Sequence, residues 1–253
     1  MKKNKVLLVA NWKMNPDTYE KADKLFQESV HVASQAKKVK TVLCIPYPWL
    51  TDFSHKHQKV VAFGGQDASI EQAGSFTGEV SPKMLTSSGV EYVIIGHSER
   101  RALGETDILI AQKVIASLKA GLKVILCLGE KSRDDHGEYL MFLREQIINS
   151  LGKIQKRYLK KLIIAYEPVW AIGGGDDEAM KPTDLHEISI FIKKILVEMY
   201  GQDSGTSIPI LYGGSVSPDN AKDLINLGEV QGLLVGHLSL NSKKFSELLK
   251  NIE

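Results

Sequence analysis

Eight short apolar runs recur along the 253 residues, most of them followed by an amphipathic stretch. They are VLLVAN (6–11), TVLCIP (41–46), VVAFGG (60–65), YVIIGH (92–97), KVILCLG (123–129), LIIAYEP (162–168), IPILYGG (208–214) and GLLVGH (232–237). Each is apolar nearly throughout rather than alternating, which predicts parallel strands covered on both faces. The intervening stretches carry helix signals. In TDILIAQKVIASLKAG, Ile108, Ala111, Ile115 and Leu118 follow three- and four-residue steps, and Gly121 is placed to end the helix. In PTDLHEISIFIKKILVEMYG, Pro182 suits a helix start and Ile188, Phe191, Ile195 and Met199 form the expected buried stripe. SPDNAKDLINLG opens on Ser217, an expected N-cap, and closes on Gly228. The segments after the second, third and fifth runs have softer limits.

Eight β/α units admit a closed barrel or an open doubly wound sheet. No low-complexity linker or composition shift divides the chain, which is read as one domain over residues 1–253. Polar residues gather at the C-terminal ends of the runs: Asn11 and Lys13, Gln66, His97 and Glu99, Glu130, Glu167, Ser215 and His237. In a barrel these ends ring one mouth, where loops build an active site, whereas an open sheet spreads them along an edge. No GxGxxG follows an early strand and no phosphate-loop lysine pattern is present. The expected fold is therefore α/β, a single (β/α)8 barrel of eight parallel strands ringed by helices.

A net charge of +2 gives no reason to expect nucleic-acid or membrane attraction. The apolar run Val6 to Ala10 after the basic N-terminus is shorter than the roughly 7–15 residues of a signal-peptide core, so a cytoplasmic location is expected. Cys44 and Cys127 lie inside apolar runs and read as reduced core thiols. His55 and His57, two apart, read as solvated surface residues, and no metal constellation is apparent.

NWKMN (11–15), GHSERR (96–101), LCLGE (126–130), AYEPVWAIG (165–173) and YGGSV (212–216), in this order and at these separations, resemble the triosephosphate isomerase family over nearly the whole chain. The resemblance implies interconversion of dihydroxyacetone phosphate and D-glyceraldehyde 3-phosphate, a step of glycolysis and gluconeogenesis, by proton transfer through an enediol(ate) and without a cofactor. It makes Glu167, at a strand end before Pro168, the catalytic base. It makes His97 a neutral imidazole acting as electrophile, with Glu99 orienting the site. Lys13 and Asn11 stabilise charge on the substrate. Gly173, Ser215, Gly236 and His237 fall in the phosphate-binding segments, where backbone N–H groups approach the oxygens.

The chain departs from the family in two places. The last loop usually reads VGGASL and here reads VGHLSL, with His237 for glycine and Leu238 for alanine. If that position needs φ > 0, histidine costs on the order of 1 kcal/mol in strain. If φ is ordinary, the ring either points away or offers a further donor. Weaker phosphate affinity than the family's is the expectation. The lid usually reads AIGTGK and here reads AIGGGD, so Gly174 and Asp176 are expected to make closure slower or less populated.

The polar stretch GQDASIEQAGSFTGEVSP is long for a connection inside a domain. It matches the family loop that inserts into a second subunit, so a homodimer through the 66–82 loop is expected, with Thr77 near the tip and Met14 in the receiving pocket. Two alternatives stand beside an active isomerase. One is another barrel enzyme acting on a small sugar phosphate. The other is a catalytically weakened paralogue that binds a small phosphate ligand.

Overall fold

Each of the eight apolar runs falls on a strand of the computed structural model, which describes residues 5–56, 59–172 and 179–253. His57, and Gly173, Gly174 and Asp176 of the stretch read as a lid, lie outside the described residues. The strands are β1 (Val6–Asn11), β2 (Val39–Cys44), β3 (Ala62–Gly65), β4 (Tyr92–Ile95), β5 (Lys123–Leu128), β6 (Leu162–Tyr166), β7 (Ile210–Tyr212) and β8 (Gly232–Val235). All neighbours pair in parallel, and β8 returns to β1 with Leu7 opposite Gly232 and Ala10 opposite Val235. The fold is a closed eight-stranded TIM barrel, and the open-sheet alternative falls.

The helices are α1 (Tyr19–Gln35), α2 (Tyr47–Ser54), α3 (Pro82–Ser87), α4 (Ser98–Ala102), α5 (Asp107–Lys119), α6 (Glu138–Leu151), α7 (Pro182–Tyr200), α8 (Gln202–Ser207), α9 (Ala221–Asn226) and α10 (Ser242–Ile252). Side-chain caps start several of them: Thr18 accepts from the Lys21 N–H, Ser81 from Met84, Thr106 from Leu109 and Asn241 from Lys244. Among the described residues, no helix is long and apolar enough to cross a membrane.

Strand residues alternate between two buried layers. Val9, Val42, Ile94, Ile125, Ile163, Leu211 and Leu234 fill the barrel interior with Cys44 and Cys127, both free thiols. Leu8, Leu43, Val93, Leu126, Ile164 and Leu233 pack outward against helix residues such as Phe26, Leu50, Val114 and Phe245. Two apolar layers explain why the strands read as continuous hydrophobic runs.

Three local expectations change. On α5, Ile108 is 72% exposed and Ile115 only partly buried, while Ile110, Ala111, Val114 and Leu118 face inward. Residues 108–111 are all apolar, so the pattern leaves the phase of the face open, and packing of Ile110 toward Gly96 sets it. On α7, Pro182 does begin the helix and Ile188 and Ile195 are buried, but Leu185, Ile192 and Leu196 complete the face, with Phe191 and Met199 at its margin. Ser217 does not cap α9. It exchanges hydrogen bonds with Asn220, whose own position is the N-cap, and so closes the preceding turn.

Candidate active site

The C-terminal ends of the strands surround one cavity, lined by Asn11, Lys13, His97, Glu167, Ser215, Gly236 and His237 among others. Seven of the residues expected from sequence thus meet in one place. Glu99 stands behind the lining, in contact with Lys13 and His97, and Gly173 lies outside the described residues.

Glu167 follows β6 directly and is 2% exposed. Its backbone N–H donates to the Leu128 carbonyl at 2.7 Å, continuing the ladder one step past the strand. Its Oε2 accepts the Ser98 N–H at 3.2 Å, and Oε1 lies 3.4 Å from His97 Nε2. A Cβ on Gly213 would stand 2.8 Å from Glu167 Cγ, so the carboxylate's position depends on glycine there. Cys127 borders the same carboxylate. Burial first, and the Glu167 charge second, push its thiol well above the ordinary range.

His97 caps α4, and its Nδ1 accepts the Glu99 N–H at 3.2 Å. An accepting ring nitrogen carries no proton. Nε2 is thus the ring nitrogen left to donate, and it faces Glu167.

Lys13 has φ 53°, a left-handed conformation unusual for a residue with a side chain. Its N–H donates to Asn11 Oδ1 at 3.0 Å, and Gln66 Nε2 donates to its carbonyl at 2.8 Å and to the Cys44 carbonyl at 3.0 Å. The ammonium passes beside Gly236, where an added Cβ would lie 3.0 Å from Lys13 Cε, and ends 2.6 Å from Glu99 Oε1. Burial pushes Glu99 up, but the Lys13 hydrogen bond and neighbouring charges outweigh it and hold this carboxyl below its usual range.

Glu130, expected at the mouth, instead anchors the segment after Glu167. Its Oε1 accepts from Tyr166 Oη at 2.7 Å, Trp170 Nε1 at 2.9 Å and Arg133 Nε at 3.2 Å. Its carbonyl accepts the Val169 N–H at 2.9 Å. Together these bonds tie residues 166–170 to the end of β5. Gln66, Cys127, Trp170 and Arg133 are the residues of this site whose parts escape the sequence. Gln66 carries a signal as a polar strand end, Cys127 and Trp170 lie inside the recognised motifs LCLGE and AYEPVWAIG, and Arg133 carries none.

The loops expected from sequence to hold phosphate follow β7 and β8. Gly236 leads into a 3-10 turn, His237–Leu240, whose Ser239 donates to the Gly236 carbonyl through both N–H (2.9 Å) and Oγ (2.7 Å). Leu238 packs against the core, which accommodates its size. His237 is not among the residues with positive φ, so the strain considered for a histidine at this position does not arise.

A closed (β/α)8 barrel that gathers a carboxylate, an imidazole and an ammonium around one cavity at the C-terminal ends of its strands has the form of a TIM-barrel enzyme. Comparison with known proteins narrows the class. The family model described as triosephosphate isomerase matches residues 6–252. The chain is 39% identical to the triosephosphate isomerase of Carboxydothermus hydrogenoformans over 249 residues, covering 97% of this chain and 98% of that protein. Against that of Cytophaga hutchinsonii it is 40% identical over 255 residues, covering 98% and 99%. Against that of Roseiflexus sp. RS-1 it is 41% identical over 246 residues, covering 96% of each. The chain belongs to the triosephosphate isomerase family.

Proposed function

We propose that Glu167 takes a proton from the carbon beside the carbonyl of dihydroxyacetone phosphate and returns it to the neighbouring carbon, giving D-glyceraldehyde 3-phosphate. His97, through Nε2–H, hydrogen-bonds the two substrate oxygens as the hydroxyl proton of one carbon passes to the former carbonyl oxygen of the other. The Lys13 ammonium and the Asn11 amide stabilise the negative charge that develops, with Glu99 orienting Lys13 and His97. Backbone N–H groups at Ser215, Gly236 and His237 hold the phosphate. The observation that carries this reading is the convergence of Glu167, His97 and Lys13 on one cavity, with Glu167 Oε1 3.4 Å from His97 Nε2.

The same reading makes residues 1–253 one catalytic unit acting in the cytoplasm on a small triose phosphate. Two copies pair through the 66–82 loop, Thr77 near its tip entering a pocket that includes Met14. The 93% exposure of Met14 in the protomer supports a covering partner.

A coupled isomerase assay on purified protein tests the chemistry. Glu167→Gln is expected to lower kcat by about 10²–10⁴-fold with little change in melting temperature. A variant with near-normal kcat would remove Glu167 from the role of base.

A further inference from the structure

His237 stands where the family has glycine, and its backbone is ordinary, so its imidazole is carried without conformational strain. It opens the turn after β8 and lines the same cavity as Lys13, His97 and Glu167. The residue is exposed, and among the described residues its side chain makes no hydrogen bond and no ion pair with the site. Glu99 lies within its electrostatic reach.

The charges around it give such a ring work to do. Lys13 comes from the loop after β1, His97 and Glu99 from the start of α4, and Glu167 from the end of β6. These groups include two carboxylates and one ammonium, and that ammonium is already 2.6 Å from Glu99. α10, packed against the turn, adds exposed Lys243 and Lys244 in its first turn. A phosphate dianion entering the cavity meets one carboxylate, Glu167, and one ammonium, Lys13, in the lining, and that ammonium is already engaged by Glu99, so a second cation beside Gly236 adds attraction at the wall.

We propose that the His237 side chain is a second, pH-dependent cationic contact for the substrate's phosphate, beyond the backbone N–H that this position supplies. The inference rests on the phosphate placement given under the proposed function. Histidine is the side chain whose charge changes between about pH 5 and pH 8, so its contribution grows as pH falls through that range. The ring replaces the weaker binding expected of this loop with binding that strengthens on acidification relative to a neutral residue.

Triose phosphates themselves take up a proton in this range, whereas sulfate stays dianionic and is the cleaner probe. The inhibition constant of sulfate against triose phosphate is measured at about pH 6 and about pH 8 for the native protein, His237→Asn and His237→Arg. The ratio of the Asn variant's constant to the native one is expected to be about two- to fivefold larger at the lower pH. His237→Arg, charged throughout, is expected to bind sulfate at about pH 8 more tightly than the native protein. A ratio equal at both pH values, or an Arg variant no tighter than native at about pH 8, would overturn the charge role of His237 and leave the phosphate placement standing. Sulfate that does not compete with substrate in the native protein would overturn the placement and this inference together.

Discussion

Lys13 is held at φ 53°, where a side chain costs on the order of 1 kcal/mol, so other contacts must hold it there. Asn11 fixes its N–H and Gln66 its carbonyl, and between these two bonds the peptide cannot relax without moving the ammonium. Gln66→Leu removes the amide that serves both the Lys13 and Cys44 carbonyls. The expected loss is about 1–2 kcal/mol of transition-state stabilisation, a fall in kcat/KM of roughly tenfold. Steady-state kinetics beside a thermal melt check it, and an unchanged kcat/KM would mean that Asn11 alone suffices. Asn11, Lys13, His97 and Glu167 were legible in the sequence because each sits at a strand end inside a recognisable motif. The clamp by Gln66 was not, because it joins atoms 53 residues apart that only barrel closure brings together. The backbone angle at His237 was equally hidden, since composition does not encode φ at a single loop position.

At the scale of elements, a buried ion cluster joins the 66–82 loop to α4 and α5. Lys113 Nζ lies 2.6 Å from both Asp67 Oδ2 and Glu105 Oε1, and Arg100 Nε lies 3.0 Å and 2.6 Å from the same oxygens. Burial raises Asp67 above the usual carboxylate range despite Lys113. Burial also opposes Glu105, but its hydrogen bonds to Lys113 and Arg100 bring it below that range. Lys113→Met leaves two largely buried carboxylates with one cation, and is expected to cost about 3–5 kcal/mol near pH 7. Without Lys113 both folded-state pKa values rise above their unfolded values. The folded variant then binds protons more readily than the unfolded chain, so the penalty shrinks as pH falls toward about 4. Urea denaturation at the two pH values tests this, and a penalty that grows on acidification would refute it. Besides the all-apolar run 108–111, this cluster adds to the difficulty of phasing the face of α5 from sequence. Its inward side carries a lysine, which an apolar-periodicity rule assigns to solvent. The runs also extend beyond the ladder: YVIIGH continues past Ile95, the last residue of β4, into the turn that presents His97.

For the whole molecule, the barrel was legible because two apolar layers leave a signature of eight unbroken hydrophobic runs, and because the polar strand ends make sense only around a single mouth. The β1–β8 closure and the register of each pair depend on contacts across the full chain, which no local pattern states. The assembly is a separate question, and one connection makes it testable through catalysis. The proposed dimer loop, 66–82, begins with Gln66, the residue that clamps Lys13, and the proposed receiving residue Met14 directly follows Lys13. Both sides of the proposed contact therefore abut the catalytic lysine. Separating two copies would loosen the loop root and the Lys13 peptide together, so specific activity is expected to fall on dilution as dimers dissociate. Met14→Glu sharpens the test, because Met14 is 93% exposed in the protomer and a carboxylate there disturbs nothing unless a partner covers it. The variant is expected to weaken dimerisation at least about tenfold by sedimentation analysis and to lose activity at correspondingly higher protein concentration. A native protein that sediments as a monomer at micromolar concentration, or a specific activity that stays constant through dissociation, would break the proposed link between the loop and Lys13.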